Sequence, residues 1–212
     1  MGVRIAGIIL AGGQSRRMDG VDKALLPFGD RRVIDHVYAR LSRQIEPVAL
    51  NSNNEPMLFS DLPAPVIPDD IDGFAGPLAG VLAAMEWANN QALPFTHIVT
   101  VATDTPFFPD NLVDTLRQAV ADAPRGHIGV AASGNRLHPV FGLWPVFLKS
   151  DLRRWLSNEK NRRVVAWIEG HPHKIAEFPI MTTQSGASLD PFFNINTPED
   201  IAEARQRWSA IP

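Results

Sequence analysis

Two hydrophobic rhythms alternate along this chain. Ile5 to Leu10 is an unbroken apolar run, the pattern of a strand buried on both faces. Val33, Ile34, Val37, Leu41 and Ile45 then recur at helical spacing, predicting an amphipathic helix with Asp30 or a neighbour as its cap. Val48-Ala49-Leu50 and Val66-Ile67 predict short strands, and Pro77 suits the first turn of a helix that continues through Val81 to Met85. His97 to Ala102, HIVTVA, is the most strand-like segment and is expected at the centre of the sheet.

Helix signals run from Pro109 to Ala123, and strands follow at Ile128 to Ala132 and Pro139 to Trp144, joined through Gly134-Asn135. Such close spacing predicts a hairpin or a reversed strand beside a parallel core. Leu148 to Glu169 reads as helical, Lys174 to Phe178 as a strand, and Pro198 to Trp208 as a last helix capped by Thr197. Alternating strands and helices predict an α/β fold, a mostly parallel sheet with helices on both faces. Nothing resembles a repeat or a dividing linker, so residues 1–212 are expected to form one domain.

Where the first strand ends, the chemistry begins. Gly12-Gly13 lets the backbone turn tightly and approach a ligand, and Arg16, Arg17 and Lys23 follow. A buried strand, a glycine turn and convergent cations describe a phosphate site at the carboxyl end of a parallel sheet. No Gly-Lys-Ser/Thr follows the glycines and no GxGxxG is present, so this is neither of the two commonest phosphate loops.

Composition narrows the partners. A net charge of −3 argues against a nucleic-acid binder, although a basic pocket fits within an acidic protein. With Cys 0, disulfides, thiolate metal sites and cysteine nucleophiles are excluded. No apolar run approaches the roughly 20 residues of a membrane span, and no cleavable signal follows Met1, so a cytoplasmic location without membrane attachment is expected. The 6 histidines form no zinc spacing, His171-Pro172-His173 reads as a solvated turn rather than a ligand pair, and nothing assigns a Ser/His/Asp nucleophile set.

The string LAGGxSRRM-x-G-x-DK resembles the signature of nucleotidyltransferases that activate small phosphorylated compounds, most closely the molybdenum cofactor guanylyltransferases of the MobA family. Asp19 stands where that family usually has a second glycine, which places a carboxylate beside the phosphate loop. GPLAG at residues 76–80, ATDTP at 102–106, RLHPVF at 136–141, the RRV segment and NxNTPE near the C-terminus follow in the family's order. The resemblance implies a three-layer α/β/α, Rossmann-like fold of the nucleotide-diphospho-sugar-transferase type. It also implies transfer of GMP from GTP to molybdopterin-bound molybdenum, with Mg²⁺ as cofactor and transient contacts with proteins that deliver or accept the cofactor.

Individual residues carry two readings each. Asn51 and its neighbours at a strand end could close a turn; the family places a nucleotide-binding asparagine at Asn51, while Asn53 and Asn54 are read as turn residues. Asp104, at the end of the most apolar strand, could cap a turn, yet the resemblance makes it the magnesium ligand. Asp69 matches the family's nucleotide-binding aspartate better than Asp70. Gly76 and Gly80 either pack a helix against the sheet or, as the family match favours, admit a base or ribose. Leu10, Ala11, Gly12, Gly13, Lys23, Asn51, Asp69 and Asp104 are thus the expected GTP site, with Arg17, Lys23 and Asp104 as catalytic groups. Arg163, Asn194 and Asn196 are assigned to the molybdopterin side, and His138 to the pocket lining. Two rivals remain in view: a cytidylyltransferase for the same pterin or a related small acceptor, and a non-catalytic nucleotide-binding regulator.

Overall fold

β1 (Ile5–Leu10) is buried along its whole length in the computed structural model, which describes residues 2–11, 23–71, 76–158, 163–182, 188–195 and 200–203. The expectations for Gly12, Gly13, Arg17 and Asn196 lie outside the described residues. A 3-10 turn at Lys23–Leu25 leads into the small ladder of β2 (Pro27–Phe28) and β3 (Arg31–Arg32). Then come α1 (Val33–Ser42), β4 (Val48–Asn51), β5 (Val66–Ile67), α2 (Pro77–Asn89), β6 (His97–Ala102) and α3 (Leu112–Ala119). The second half holds β7 (Ile128–Ser133), β8 (Arg136–Pro145), α4 (Lys149–Asn158), α5 (Val164–Glu169) and β9 (His173–Phe178), with a short ladder of β10 (Met181–Thr182) and β11 (Ser188–Leu189).

Seven strands form one sheet in the order β5-β4-β1-β6-β8-β7-β9. β6 holds the central place that its composition predicts. β5, β4, β1 and β6 are mutually parallel, β8 runs antiparallel to both β6 and β7, and β9 pairs in parallel with β7. The reversed strand expected beside the parallel core is therefore β8, inserted between β6 and β7 rather than placed at an edge. Gly134 (φ 52°) and Asn135 (φ 64°) form the tight turn between β7 and β8, both in the left-handed region that glycine and asparagine tolerate best.

Alternation along β1 divides the core into two layers. Ile8 and Leu10 pack with α2, α4 and α5, while Ile5 and Ile9 face α1 and α3. Both faces of the sheet are thereby covered, the three-layer α/β/α arrangement expected from the pattern. Trp144 of β8 is fully buried and donates its indole N–H to Thr100 Oγ1 at 2.7 Å, which satisfies the one polar atom it brings into the core.

Three local expectations change. The helix expected from Leu148 to Glu169 is two helices, α4 and α5, and the residues between them lie outside the described set except Arg163, the N-cap of α5. Asp30 does not cap α1; Asp35, inside the first turn, accepts the Arg32 N–H at 2.9 Å and holds the Arg32 guanidinium at 2.7 Å. His171 is not a solvated turn residue, because its ring nitrogens face Trp167 O at 2.8 Å and Asp151 Oδ2 at 2.9 Å, tying α4 to α5. No helix among the described residues is long and apolar enough to cross a membrane.

Candidate active site

Parallel pairing sets the strand ends in a row. Leu10 of β1 is in register with Asn51 of β4 and with Ala102 of β6, and Asn51 is in register with Ile67 of β5. Ala11, Asn51, Asp69 and Asp104 therefore emerge along one edge of the sheet, its carboxyl edge, where open α/β sheets bind ligands. Backbone bonds fix the row: the Ala11 N–H donates to Asn51 O at 2.8 Å and the Thr103 N–H to Leu10 O at 3.3 Å.

Asn51 is buried, and its Nδ2 uses both protons, one to Ile67 O at 3.1 Å and one to Asp69 Oδ1 at 2.9 Å. Its Oδ1 is the only remaining group with hydrogen-bonding capacity, and it packs against the Cα of Gly80. A Cβ on Gly80 would lie 2.1 Å from that oxygen and 3.0 Å from Leu10 Cδ2. Gly80 thus makes room for the asparagine, the close-packing reading of the two that the sequence offers. Gly76 differs: exposed, with φ 71°, it supplies a backbone conformation at the start of α2 that other residues adopt only with strain. We expect Gly80→Ala to lower stability by about 1–3 kcal/mol, as overpacking commonly does, and to disturb the Asn51–Asp69 contact; chemical denaturation and GTP affinity measure the two effects.

Asp69 and Asp70 separate cleanly. Asp69 turns to the row and is held by Asn51 and Asn53, whereas Asp70 pairs with Arg153 of α4 at 2.7 Å, and Arg153 also bonds Glu86 of α2. Asn53, expected to be a plain turn residue, is instead a partner of Asp69 through both ends of its amide.

Asp104 follows β6 by two residues and is half-buried. Burial pushes its pKa up, against the opposing pull of the Thr105 hydroxyl and the positive charge of Lys23. Lys23 and Asp104 are thereby within electrostatic reach, as the sequence reading requires. Thr105 Oγ1 lies 3.2 Å from Asp104 Oδ1 and 2.6 Å from the side-chain oxygen of Asn194, but it has one proton to give. The shorter contact takes it: Thr105 donates to Asn194 Oδ1, and the approach to Asp104 Oδ1 is the weaker of the two. The Ile195 N–H donates to Asp104 O at 2.7 Å, so the segment carrying Asn194 is strapped directly to the Asp104 turn.

The other end of that strap is anchored in the β7–β8 hairpin. Asp190 Oδ1 accepts the Ser133 hydroxyl at 2.8 Å and the Phe192 N–H at 2.9 Å, and Ser133 Oγ stands 2.7 Å from His138 Nε2. Since the serine proton goes to the carboxylate, His138 donates from Nε2, in keeping with a neutral ring whose pKa burial pushes down. His138 stacks on Phe192 with ring centroids 4.2 Å apart. It is a buried strut rather than a residue of the pocket lining. Ser133, enclosed between the two, is no nucleophile. Arg163 is exposed at the start of α5 and takes no part in the bonds that join Asn51, Asp69, Asp104 and Asn194. Thr105 and Ser133 have no sequence signal, because Thr105 meets Asn194 and Ser133 meets Asp190 across distant segments.

The described residues contain no cluster of three or more His, Cys, Asp or Glu side chains arranged for a metal. Among the described residues, Asp104 offers the chemistry of a hard-cation site completed by phosphate oxygens and water: a partly desolvated carboxylate at the sheet edge.

Comparison with known proteins shows the family. The family model described as the MobA-like NTP transferase domain matches residues 7–174. A molybdenum cofactor guanylyltransferase from Mesorhizobium japonicum is 51% identical, with 94% of each chain covered. One from Rhizobium leguminosarum bv. trifolii is 49% identical over 96% of this chain and 92% of its own. The crystal structure of molybdopterin-guanine dinucleotide biosynthesis protein A from Archaeoglobus fulgidus superposes with a TM-score of 0.73 at 20% identity, covering 97% of this chain and 100% of that one, a likeness of fold. Sequence kinship of this extent settles the matter of descent: the chain belongs to the MobA-like NTP transferases, within the group of molybdenum cofactor guanylyltransferases.

Proposed function

We propose that this chain transfers GMP from GTP to molybdopterin-bound molybdenum, releasing pyrophosphate and leaving the guanine dinucleotide form of the cofactor. The carrying observation is the row of Ala11, Asn51, Asp69 and Asp104 along one sheet edge, with Lys23 set electrostatically against Asp104. An oxygen of the acceptor phosphate attacks the α-phosphorus of GTP, a new P–O bond forms, and the bond to the departing pyrophosphate breaks. The protein needs no covalent step of its own; its work is to align two polyanions and offset their charge.

Each residue has a place in that work. Backbone N–H groups after β1 and the cations Arg17 and Lys23 bind the triphosphate. Asp69, held by Asn51, faces the nucleoside, and Asn194 together with Asn196 and Arg163 serves the acceptor side. Thr105, which donates to Asn194 and lies beside the Asp104 carboxylate, ties the two together at the site. A divalent cation, which we assign as Mg²⁺, would be held by Asp104 and would neutralise charge on the α-phosphate when bound.

Base choice is the property to measure. We expect GTP to bind at least about tenfold more tightly than CTP, roughly 1.4 kcal/mol. Calorimetry with the two nucleotides tests this, and pyrophosphate release from GTP, CTP, ATP and UTP with molybdenum-loaded molybdopterin tests the reaction. Equal affinities, or a preference for CTP, would move the chain to the cytidylyl branch; binding of GTP without any turnover would make it a regulator.

A further inference from the structure

Two loops meet beside Asn51, one after β4 and one after β5. Asn53 donates from Nδ2 to Asp69 Oδ2 at 2.8 Å, and its Oδ1 accepts the Asp69 N–H at 2.8 Å. The backbone N–H can only donate, so it fixes which end of the amide is which and leaves the NH₂ facing the carboxylate. From the sheet side, Asn51 donates to the other oxygen, Oδ1, at 2.9 Å. One buried and one exposed asparagine thus hold the two oxygens of a single carboxylate.

A carboxylate oxygen accepts more than one hydrogen bond, so both oxygens keep capacity for a ligand. Two fixed acceptors side by side match two adjacent donors, and the pairing edge of guanine presents such a pair in N1–H and its exocyclic NH₂. Cytosine presents one exocyclic amine on that edge, beside acceptors that would face the carboxylate unfavourably. A carboxylate free to turn would lose that freedom on binding, whereas one already held loses little.

We propose that Asn53 is a positioning residue: it holds the Asp69 carboxylate in the orientation that reads the guanine base. The inference rests on the guanylyl reading above and deepens it. Its rival is that Asn53 only ties two surface loops together, and the two roles separate in kinetics. The test uses the full chain with GTP and with CTP in the presence of the molybdopterin acceptor. It compares wild type, Asn53→Leu, Asp69→Ala and the double variant, with a melting curve for each. Asn53→Leu is expected to raise KM for GTP roughly tenfold, as loss of a hydrogen bond to a charged group does. Most of the effect should lie in KM rather than kcat, and the preference for GTP over CTP should shrink in parallel. In the Asp69→Ala background Asn53→Leu should add nothing, because its partner is already gone. An unchanged KM for GTP, the same loss with and without Asp69, or a lowered melting temperature as the only effect would each overturn the inference while leaving guanylyl transfer intact. A wild-type enzyme that does not prefer GTP would overturn the guanylyl reading, and this inference with it.

Discussion

Asp104→Asn should abolish most turnover, by about 10²-fold or more, while leaving the protein as stable as wild type or more so. The substitution keeps size and one acceptor oxygen but removes the charge. Burial raises the pKa of Asp104 even though Lys23 and Thr105 oppose the shift, so the folded protein disfavours the charged form relative to the unfolded chain. The sign follows directly. An aspartate whose folded pKa is raised costs stability once the pH passes that value, and a neutral amide at the same place removes the cost. Raised magnesium should restore part of the activity. Were Asp104 a turn cap only, asparagine would serve equally well, since the two residues cap about equally. Near wild-type turnover in Asp104→Asn at every magnesium concentration would exclude the metal role. A drop in melting temperature with turnover intact would mark the residue as structural.

Lys23→Ala should reduce turnover by about 10²-fold, through loss of charge stabilisation at the triphosphate. Lys23 opens the short 3-10 turn that leads to the β2–β3 ladder, and Ala24, not Lys23, is the buried residue of that turn. The melting temperature should therefore stay near that of wild type. Lys23→Arg keeps the charge but spreads it over a planar fork, and it should recover part of the rate. The effect should also depend on salt, since a charge at an open sheet edge is partly screened. Single-turnover measurements at two ionic strengths would separate charge from shape; an unchanged rate in Lys23→Ala would remove the phosphate site from its proposed place.

Much of the edge row is legible in the sequence itself, for a physical reason. A parallel sheet delivers its strand ends to one edge, so an apolar run followed by a polar residue announces both a strand and its exit. Ile5 to Leu10, Val48 to Leu50, Val66-Ile67 and His97 to Ala102 are such runs, and Ala11, Asn51, Asp69 and Asp104 stand at or just past their ends. Contacts between side chains distant in sequence leave no such trace. Thr105 meets Asn194 across a separation of 89 positions and Ser133 meets Asp190 across 57, and neither pair shares a period or a spacing. Gly80 carries two readings in the sequence for a related reason: a missing side chain shows that space is needed, but not that Asn51 fills it. The break between α4 and α5 escaped notice because apolar residues on its two sides, Leu152, Leu156, Val164, Trp167 and Ile168, all pack into the same layer of the core.

The place of β1 in the sheet has a consequence for how the protein is made. β1 is synthesised before both of its partners, yet it lies inside the sheet, between β4 and β6. Its partner on one side begins with His97, which pairs with Ile5. A nascent chain must therefore carry one edge of an apolar strand unpaired until β6 has been translated, and contacts of such long range form slowly. The segment IAGIIL is thus a natural client for chaperones that hold apolar stretches during synthesis, and truncation before β6 leaves a strand edge open to aggregation.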